Sequence, residues 1–123
     1  MKEGHTTKRR YPRFVVGATA KGRLTTTYTA SLINISLGGA LVEHPDIVRP
    51  GTISYMDMTL QGKDVRLKCR VARSVVHRTE VLESGERELI YHTGLEFLDP
   101  PTETLDLIVQ YIESLQAEGH GEK

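Results

Sequence analysis

The strictest two-residue period in this chain is Val65-Arg66-Leu67-Lys68-Cys69-Arg70-Val71. Apolar side chains occupy its odd positions and cations its even positions. Successive side chains of a strand point to opposite faces, so the pattern predicts a β-strand with one buried face and one cationic face. Cys69 lies on the apolar face, which predicts a buried, unreactive thiol. The cations are interpreted as a solvated face that would enlarge an anion site if one adjoins it.

Other runs rich in β-branched, aromatic or alternating apolar residues predict further strands, separated by turn residues such as Gly62 and Gly85. After Pro100 and Pro101 the period changes to that of an amphipathic helix, with Asp99 or Thr102 as its cap and Gly119 as its stop. The predicted strands are residues 14–20, 25–33, 40–43, 53–60, 65–71 and 89–97, and the helical apolar positions are Leu105, Ile108, Val109, Ile112 and Leu115. The fold class is therefore an all-β dominated one, with six short antiparallel strands closed by a C-terminal helix.

The composition indicates a single domain of modest charge. The chain has 123 residues, 38% of them hydrophobic, and 16 basic residues balance 16 acidic ones. It therefore lacks the basic excess of a general nucleic-acid binder. A single cysteine excludes an internal disulfide, and neither a secretory signal nor an apolar run of membrane-spanning length is visible. We expect a cytoplasmic protein without membrane insertion.

A cationic stretch, Lys8-Arg9-Arg10-Tyr11-Pro12-Arg13-Phe14, gives the first indication of a ligand. Its crowded cations repel one another unless something anionic gathers them. Guanidinium groups match phosphate oxygens and the O6/N7 edge of guanine. Pro12 disfavours a helix, so we expect an extended arm that displays its arginines. A solvated basic terminus would explain the same residues without a ligand.

Downstream, Asn34-Ile35-Ser36-Leu37-Gly38-Gly39 follows the second predicted strand. Asparagine, serine and paired glycines favour a tight turn in which positive φ values are accessible. Taken alone, this stretch predicts an ordinary β-turn with no ligand. Its combination with the upstream arginines favours a binding site.

The two stretches together resemble the PilZ domain family of bacterial cyclic di-GMP receptors. Arg9 and Arg13 match the family motif R-x-x-x-R, while Asn34, Ser36 and Gly39 match [D/N]-x-S-x-x-G. The resemblance implies a six-stranded antiparallel PilZ-type β-barrel with a C-terminal α-helix against one opening. That architecture agrees with the strand count reached from periodicity.

The likeness extends over nearly the whole chain. His92-Thr93-Gly94-Leu95-Glu96-Phe97 and the terminal helix are also similar to the end of such domains. We therefore predict a disordered tail over residues 1–7, the PilZ domain over residues 8–116 and a C-terminal tail over residues 117–123.

By this resemblance the ligand is cyclic di-GMP, which presents two phosphates and two guanines. Arg9 and Arg13 would fold over it, binding phosphate and guanine edges and stacking on the bases, with Arg10 as a candidate third clamp. Asn34 would accept from a guanine N–H through its amide oxygen. An aspartate would accept better, so modest affinity is expected.

The remaining motif residues complete the candidate site. Ser36 would reach a base or phosphate with its hydroxyl, and Gly39 would let the backbone turn closely past the ligand. The chain's histidines show no ligand spacing, and we expect neither a metal site nor a catalytic constellation.

The leading hypothesis is a non-enzymatic sensor or adaptor that changes conformation on binding cyclic di-GMP and regulates an unidentified downstream protein. One alternative is a degenerate PilZ protein-interaction module that binds no nucleotide. Another is a small β-barrel for single-stranded nucleic acid, which the absence of tryptophan and the zero formal net charge disfavour. The sequence specifies neither the oligomeric state nor the number of nucleotides per site.

Overall fold

The computed structural model describes residues 12–16 and 26–122, which form an antiparallel sheet followed by a helix. The elements are β1 (Arg13–Val16), β2 (Thr26–Thr29), β3 (Ser31–Ile35), β4 (Gly39–His44), β5 (Ile53–Leu60), β6 (Lys63–Val81), β7 (Arg87–Phe97) and α1 (Thr102–Glu122). The strands pair in the order β2-β1-β5-β6-β7-β4-β3, always antiparallel. The predicted all-β class with a C-terminal helix is confirmed. The predicted tail over residues 1–7 and most of the predicted first strand lie outside the described residues.

The sheet curls because its two outermost strands are joined by one residue. β2 ends at Thr29 and β3 begins at Ser31, yet these strands lie at opposite ends of the strand order. The two ends of the sheet therefore meet at Ala30, whose amide donates to the Pro12 carbonyl at 3.0 Å. The strand predicted over residues 25–33 is thus divided at Ala30, which explains seven strands where six were predicted.

The β5–β6 hairpin follows the predicted pattern. Its turn consists of Gln61 and Gly62, with φ values of 51° and 82°. Positive φ at both central residues matches the right-handed twist of the flanking strands. Glycine carries no Cβ penalty in this region, which suits Gly62 to the second position.

β6 extends well beyond the strand predicted over residues 65–71. The prediction stopped short because two bulges interrupt the alternation of apolar and polar residues. Ala72 is an extra residue between the pairs Val71–Leu95 and Arg73–Gly94, and His77 is extra further along. Each bulge shifts the phase of the two-residue period by one. The period read from residues 65–71 therefore fails beyond Val71, although the strand continues to Val81.

The core lies on the concave face of the curled sheet. Alternate residues of β5 and β6 point inward, as predicted, and Cys69 is fully buried among them. The predicted burial of this cysteine is confirmed, and burial raises the pKa of its thiol to about 12. The core cluster is Phe14, Ala30, Ala40, Val42, Val48, Met56, Met58, Leu60, Leu67, Cys69, Val71, Leu95, Phe97 and Ile108.

α1 packs against this cluster through part of its predicted apolar stripe. Ile108 is fully buried, whereas Val109 and Leu115 are exposed. The Pro101 carbonyl accepts the first helical hydrogen bond, from the Leu105 amide at 3.0 Å, so neither predicted cap residue occupies the N-cap position.

The predicted helix stop at Gly119 is wrong. The helix continues to Glu122. An interior glycine costs a helix only about 1 kcal/mol relative to alanine, and no proline follows to end it. Within the described residues, no helix combines the length and apolar character needed to span a bilayer.

Candidate ligand site

Ser36 organises the turn that joins β3 to β4. Its amide donates to the Gly39 carbonyl at 2.8 Å, and its hydroxyl donates to the same oxygen at 3.3 Å. The hydroxyl also accepts from the Gly38 amide at 3.2 Å. A hydroxyl has one donor and two acceptor positions, so one acceptor position remains for a ligand. Neither glycine adopts a positive φ, contrary to the expected use of such angles in this turn.

Asn34 is exposed beside this turn because β3 contains a bulge. Leu32 pairs with Val42 and Asn34 pairs with Leu41, which leaves Ile33 as an extra residue. A bulge redirects the side chains that follow it. Asn34 is near the end of β3 and Ser36 directly follows the strand, so both lie at the turn end of the hairpin.

Gly39 is required by the contact of the hairpin with β7. A Cβ at this position would overlap the carbonyl oxygen of Leu95. The neighbouring Gly38 carbonyl accepts from the Phe97 amide at 2.9 Å, which fixes the turn against the same strand. The predicted close backbone approach is therefore made to β7 of the protein itself.

Arg13 belongs to a row of charged residues on the outer face of three adjacent strands. The strand registers align Arg13 of β1 with Asp57 of β5, and Asp57 with Arg66 of β6. Arg66 donates to both oxygens of the Asp57 carboxylate, at 2.7 and 3.0 Å. The hydrogen bonds from Arg66 and the charge of Asp57 raise the pKa of the Arg66 guanidinium. The row thus places one carboxylate between two cations.

These charged residues border an open cavity of about 250 Å³. Its lining consists of Arg13, Asp57, Met58, Asp64, Val65 and Arg66. Arg66 also borders a groove of about 640 Å³ that continues along Lys68 and Arg70. The cationic face of β6 therefore adjoins Arg13, which is the condition under which it was expected to enlarge an anion site.

The structure places the sequence-predicted residues in two groups. Asn34, Ser36 and Gly39 lie together on the β3–β4 hairpin, whereas Arg13 points into the cavity beside β5 and β6. Arg9 and Arg10 lie outside the described residues. The link between the groups is Pro12, which is buried and hydrogen-bonded to Ala30 at the start of β3.

Sequence reasoning named Arg66 only conditionally, as part of the cationic face of β6, and did not assign Asp57 to this neighbourhood. The alternation in β5 and β6 identified their outward direction, but the pairing of β1 with β5 was required to bring them beside Arg13. β1 and β5 are at least 37 residues apart in the chain, so no local sequence pattern indicates that these strands are in contact. Within the described residues, no group of three or more His, Cys, Asp or Glu side chains is arranged to hold a metal ion.

A family model of the PilZ domain matches residues 7–114. This chain belongs to the PilZ domain family. No curated protein sequence matches it.

Two solved structures share the PilZ architecture of this chain. The PilZ domain with c-di-GMP of YcgR from Escherichia coli has a TM-score of 0.58 and 17% identity, with 92% of this chain and 98% of that chain covered. MrkH, described as a c-di-GMP-dependent transcription regulatory factor, has a TM-score of 0.60 and 14% identity. In that comparison 95% of this chain and 49% of the MrkH chain are covered. At these identities the similarity establishes the fold.

Proposed function

We propose that this chain is a non-enzymatic cyclic di-GMP receptor that acts in the bacterial cytoplasm and regulates a downstream protein through a change of conformation. Membership of the PilZ family supports this, as do two similar structures described with c-di-GMP. The charge-balanced composition gives no support to the alternative of a general single-stranded nucleic-acid binder.

The observation that carries the proposal is the hydrogen bond between Pro12 and Ala30. It anchors the arginine-bearing segment at the start of the strand that carries Asn34. Arg9 is three residues before Pro12 in the sequence, and three residues of chain span at most about 10 Å. Asn34 is four residues after Ala30, about 13 Å along an extended strand.

The described geometry refines the role of each motif residue. Asn34 is free to accept a guanine N–H, and the remaining acceptor position of Ser36 suits the same kind of donor. Because the Ser36 hydroxyl proton is already donated to Gly39, a hydrogen bond from Ser36 to phosphate would replace that 3.3 Å bond, while the Ser36 amide still holds the turn. Phosphate recognition is therefore assigned to Arg9, Arg10 and Arg13.

Arg13 supplies the conformational step. Its side chain lies beside Asp57 and Arg66. Binding a phosphate near the hairpin would draw Arg13 away from the carboxylate, while the Asp57–Arg66 pair remains. Exposed charge pairs contribute only about 0–1 kcal/mol, so this rearrangement costs little. A partner protein would recognise the resulting change in charge on the outer face of β5 and β6.

Titration calorimetry with cyclic di-GMP tests the assignment. We expect Arg13→Ala and Arg9→Ala each to weaken binding at least about ten-fold, the equivalent of roughly 1.4 kcal/mol. Asn34→Asp should strengthen binding, because a carboxylate offers charged acceptors. Arg87→Ala, an exposed cation on β7 far along the chain from the motifs, is the control and should bind like the wild type.

Unchanged affinity in both arginine variants would contradict the assigned roles. A wild-type chain that binds no cyclic di-GMP would favour a PilZ module that acts only through protein contacts. Tighter binding of oligonucleotides, with a steep salt dependence, would instead favour the nucleic-acid alternative.

A further inference from the structure

β6 continues beyond its pairing with β5, which ends at Arg70, and forms a ribbon with β7, defined as residues 72–81 and 87–94. Among the described strands, residues 72–81 pair only with β7, so the other edge of β6 is free along the ribbon. β4 still pairs with β7 as far as Tyr91, and beyond that point the ribbon has only its own two strands. A two-stranded hairpin is marginally stable in water on its own, so the ribbon would gain stability from a further strand.

One face of this ribbon is apolar and exposed. Tyr91, Leu89 and Arg87 alternate along β7, so their partners Val76, Thr79 and Val81 share their face. The exposed fractions are 52% for Val76, 69% for Val81 and 44% for Leu89. An unpaired strand edge flanked by exposed apolar side chains is a template for pairing with another strand.

The opposite face of β6 carries charges in a self-complementary arrangement. Arg73, Val75, Arg78 and Glu80 pair with Gly94, His92, Ile90 and Glu88, respectively, which alternate on the other face of β7. Arg73 and Glu80 are seven residues apart and would occupy opposite faces of a regular strand. The bulge at His77 brings them onto the same face.

We propose that the free edge of β6 pairs with the same edge of a second copy of this chain, antiparallel about a two-fold axis near His77. In this register Arg73 faces the partner's Glu80, and Ser74 faces the partner's Thr79. The two-fold axis makes each contact twice. Opposite charges directly across two strands stabilise their pairing, and like charges oppose it.

The existing contacts of Glu80 are compatible with this arrangement. Arg78 donates to Glu80 at 2.7 Å and also to Glu43 at 2.8 Å, and all three side chains are partly exposed. A carboxylate accepts several hydrogen bonds, so Arg73 from a second copy joins the cluster without displacing Arg78. A strand from an unrelated protein would not require the self-complementary charges.

Exchanging the charges of Arg73 and Glu80 tests the proposed pairing of the two β6 edges. Light scattering of the eluted protein over a concentration series should show the wild type rising toward twice 13.8 kDa. Arg73→Glu should remain monomeric because it faces the partner's Glu80, and Arg73→Glu combined with Glu80→Arg should restore the dimer. Arg87→Glu, on the other ribbon strand, is the matched control and should dimerise. Thermal unfolding at low concentration checks that every variant is folded.

Disulfide trapping tests the same register independently. Ser74→Cys combined with Thr79→Cys should give a covalent dimer under oxidation, whereas either change alone should not. Within one chain these positions are five residues apart along a strand, too far for an internal disulfide. Buried Cys69 contributes no background. Adding Arg73→Glu should abolish the crosslink.

A chain that is monomeric at every concentration and forms no crosslink would overturn the proposal and leave the edge for another protein's strand. A dimer that survives Arg73→Glu would also overturn it, because its interface would lie elsewhere. These variants change none of the residues assigned to cyclic di-GMP, so the outcome is independent of the nucleotide assay.

Discussion

Gly39 and Ser36 shape the β3–β4 turn through contacts within the protein itself. The hydroxyl of Ser36 bridges the turn, and the missing side chain of Gly39 lets β4 approach β7. Both are motif residues that the family resemblance assigns to ligand binding. The structure adds a folding role for each of them.

The adjacent glycines Gly38 and Gly39 differ in their surroundings, so alanine substitutions at the two positions can be compared directly. We expect Gly39→Ala to lower the free energy of unfolding by about 1–3 kcal/mol, because its Cβ would displace the backbone of β7. Gly38→Ala meets nothing within 4 Å and should change stability little. Urea denaturation of both variants measures the difference. Equal stabilities would show that the hairpin can shift away from Leu95 at no cost.

His44 is the buried titratable side chain beside the aromatic cluster of the core. Its Nδ1 accepts from the Asp46 amide at 3.3 Å, so the neutral ring carries its proton on Nε2, which donates to the Thr93 hydroxyl at 2.7 Å. Burial beside Phe14 and Tyr28 lowers the pKa of His44, against the opposing influence of the Asp46 charge. Nothing in the sequence indicated that His44 would be buried and hydrogen-bonded in the core.

A lowered histidine pKa makes stability depend on pH in a defined direction. The unfolded chain binds a proton at His44 below about pH 6.5 before the folded protein does, so stability falls as the pH drops through that value. The loss is at most about 1.4 kcal/mol per pH unit. Unfolding free energies at about pH 7.5 and about pH 5.5 should differ more for the wild type than for His44→Gln, which keeps an N–H donor but does not titrate. Parallel pH profiles for the two proteins would contradict this.

At the scale of elements, α1 shows how periodicity overestimates burial. The sequence predicted a stripe of apolar positions, yet Ile108 is fully buried while the adjacent Val109 is 37% exposed. An α-helix turns by 100° per residue, so adjacent positions face different surroundings. The sequence identified the helix and its apolar side, but the position of the sheet decides which residue enters the core.

This difference predicts the outcome of two neighbouring truncations. Ile108→Ala should lower the free energy of unfolding by about 2–5 kcal/mol, since it leaves a cavity in the core. Val109→Ala should stay within about 0.5 kcal/mol of the wild type. Chemical denaturation compares them directly. A similar loss in both variants would mean that α1 is rotated relative to the sheet described above.

β6 marks the limit of prediction for strands. Its regular part was identified residue by residue, and the turn before it was predicted over residues 61–64, of which Lys63 and Asp64 already belong to β6. The extension to Val81 was missed because the bulges at Ala72 and His77 reverse the apolar phase twice. Bulges depend on pairing with β7, which a local pattern does not contain.

For the molecule as a whole, the sequence predicted the family and its barrel architecture, while the junction of the two ends of the sheet at Ala30 emerged only from the structure. The division of one predicted strand at Ala30 changes the strand count but preserves the path of the chain. The motif residues of the β3–β4 hairpin could be named in advance. The row of Arg13, Asp57 and Arg66 could not, because it is created by three strands that are distant in the chain.

The pairing of β4 with β7 has a consequence for synthesis on the ribosome. Glu43 and His92 are neighbours across these strands, yet 49 residues separate them in the chain. At about 5–20 residues per second, β4 emerges roughly 2–10 seconds before its partner exists. During that interval the nascent β3–β4 hairpin exposes the edge of β4 that later pairs with β7. A chaperone that holds unfolded chains would bind this edge.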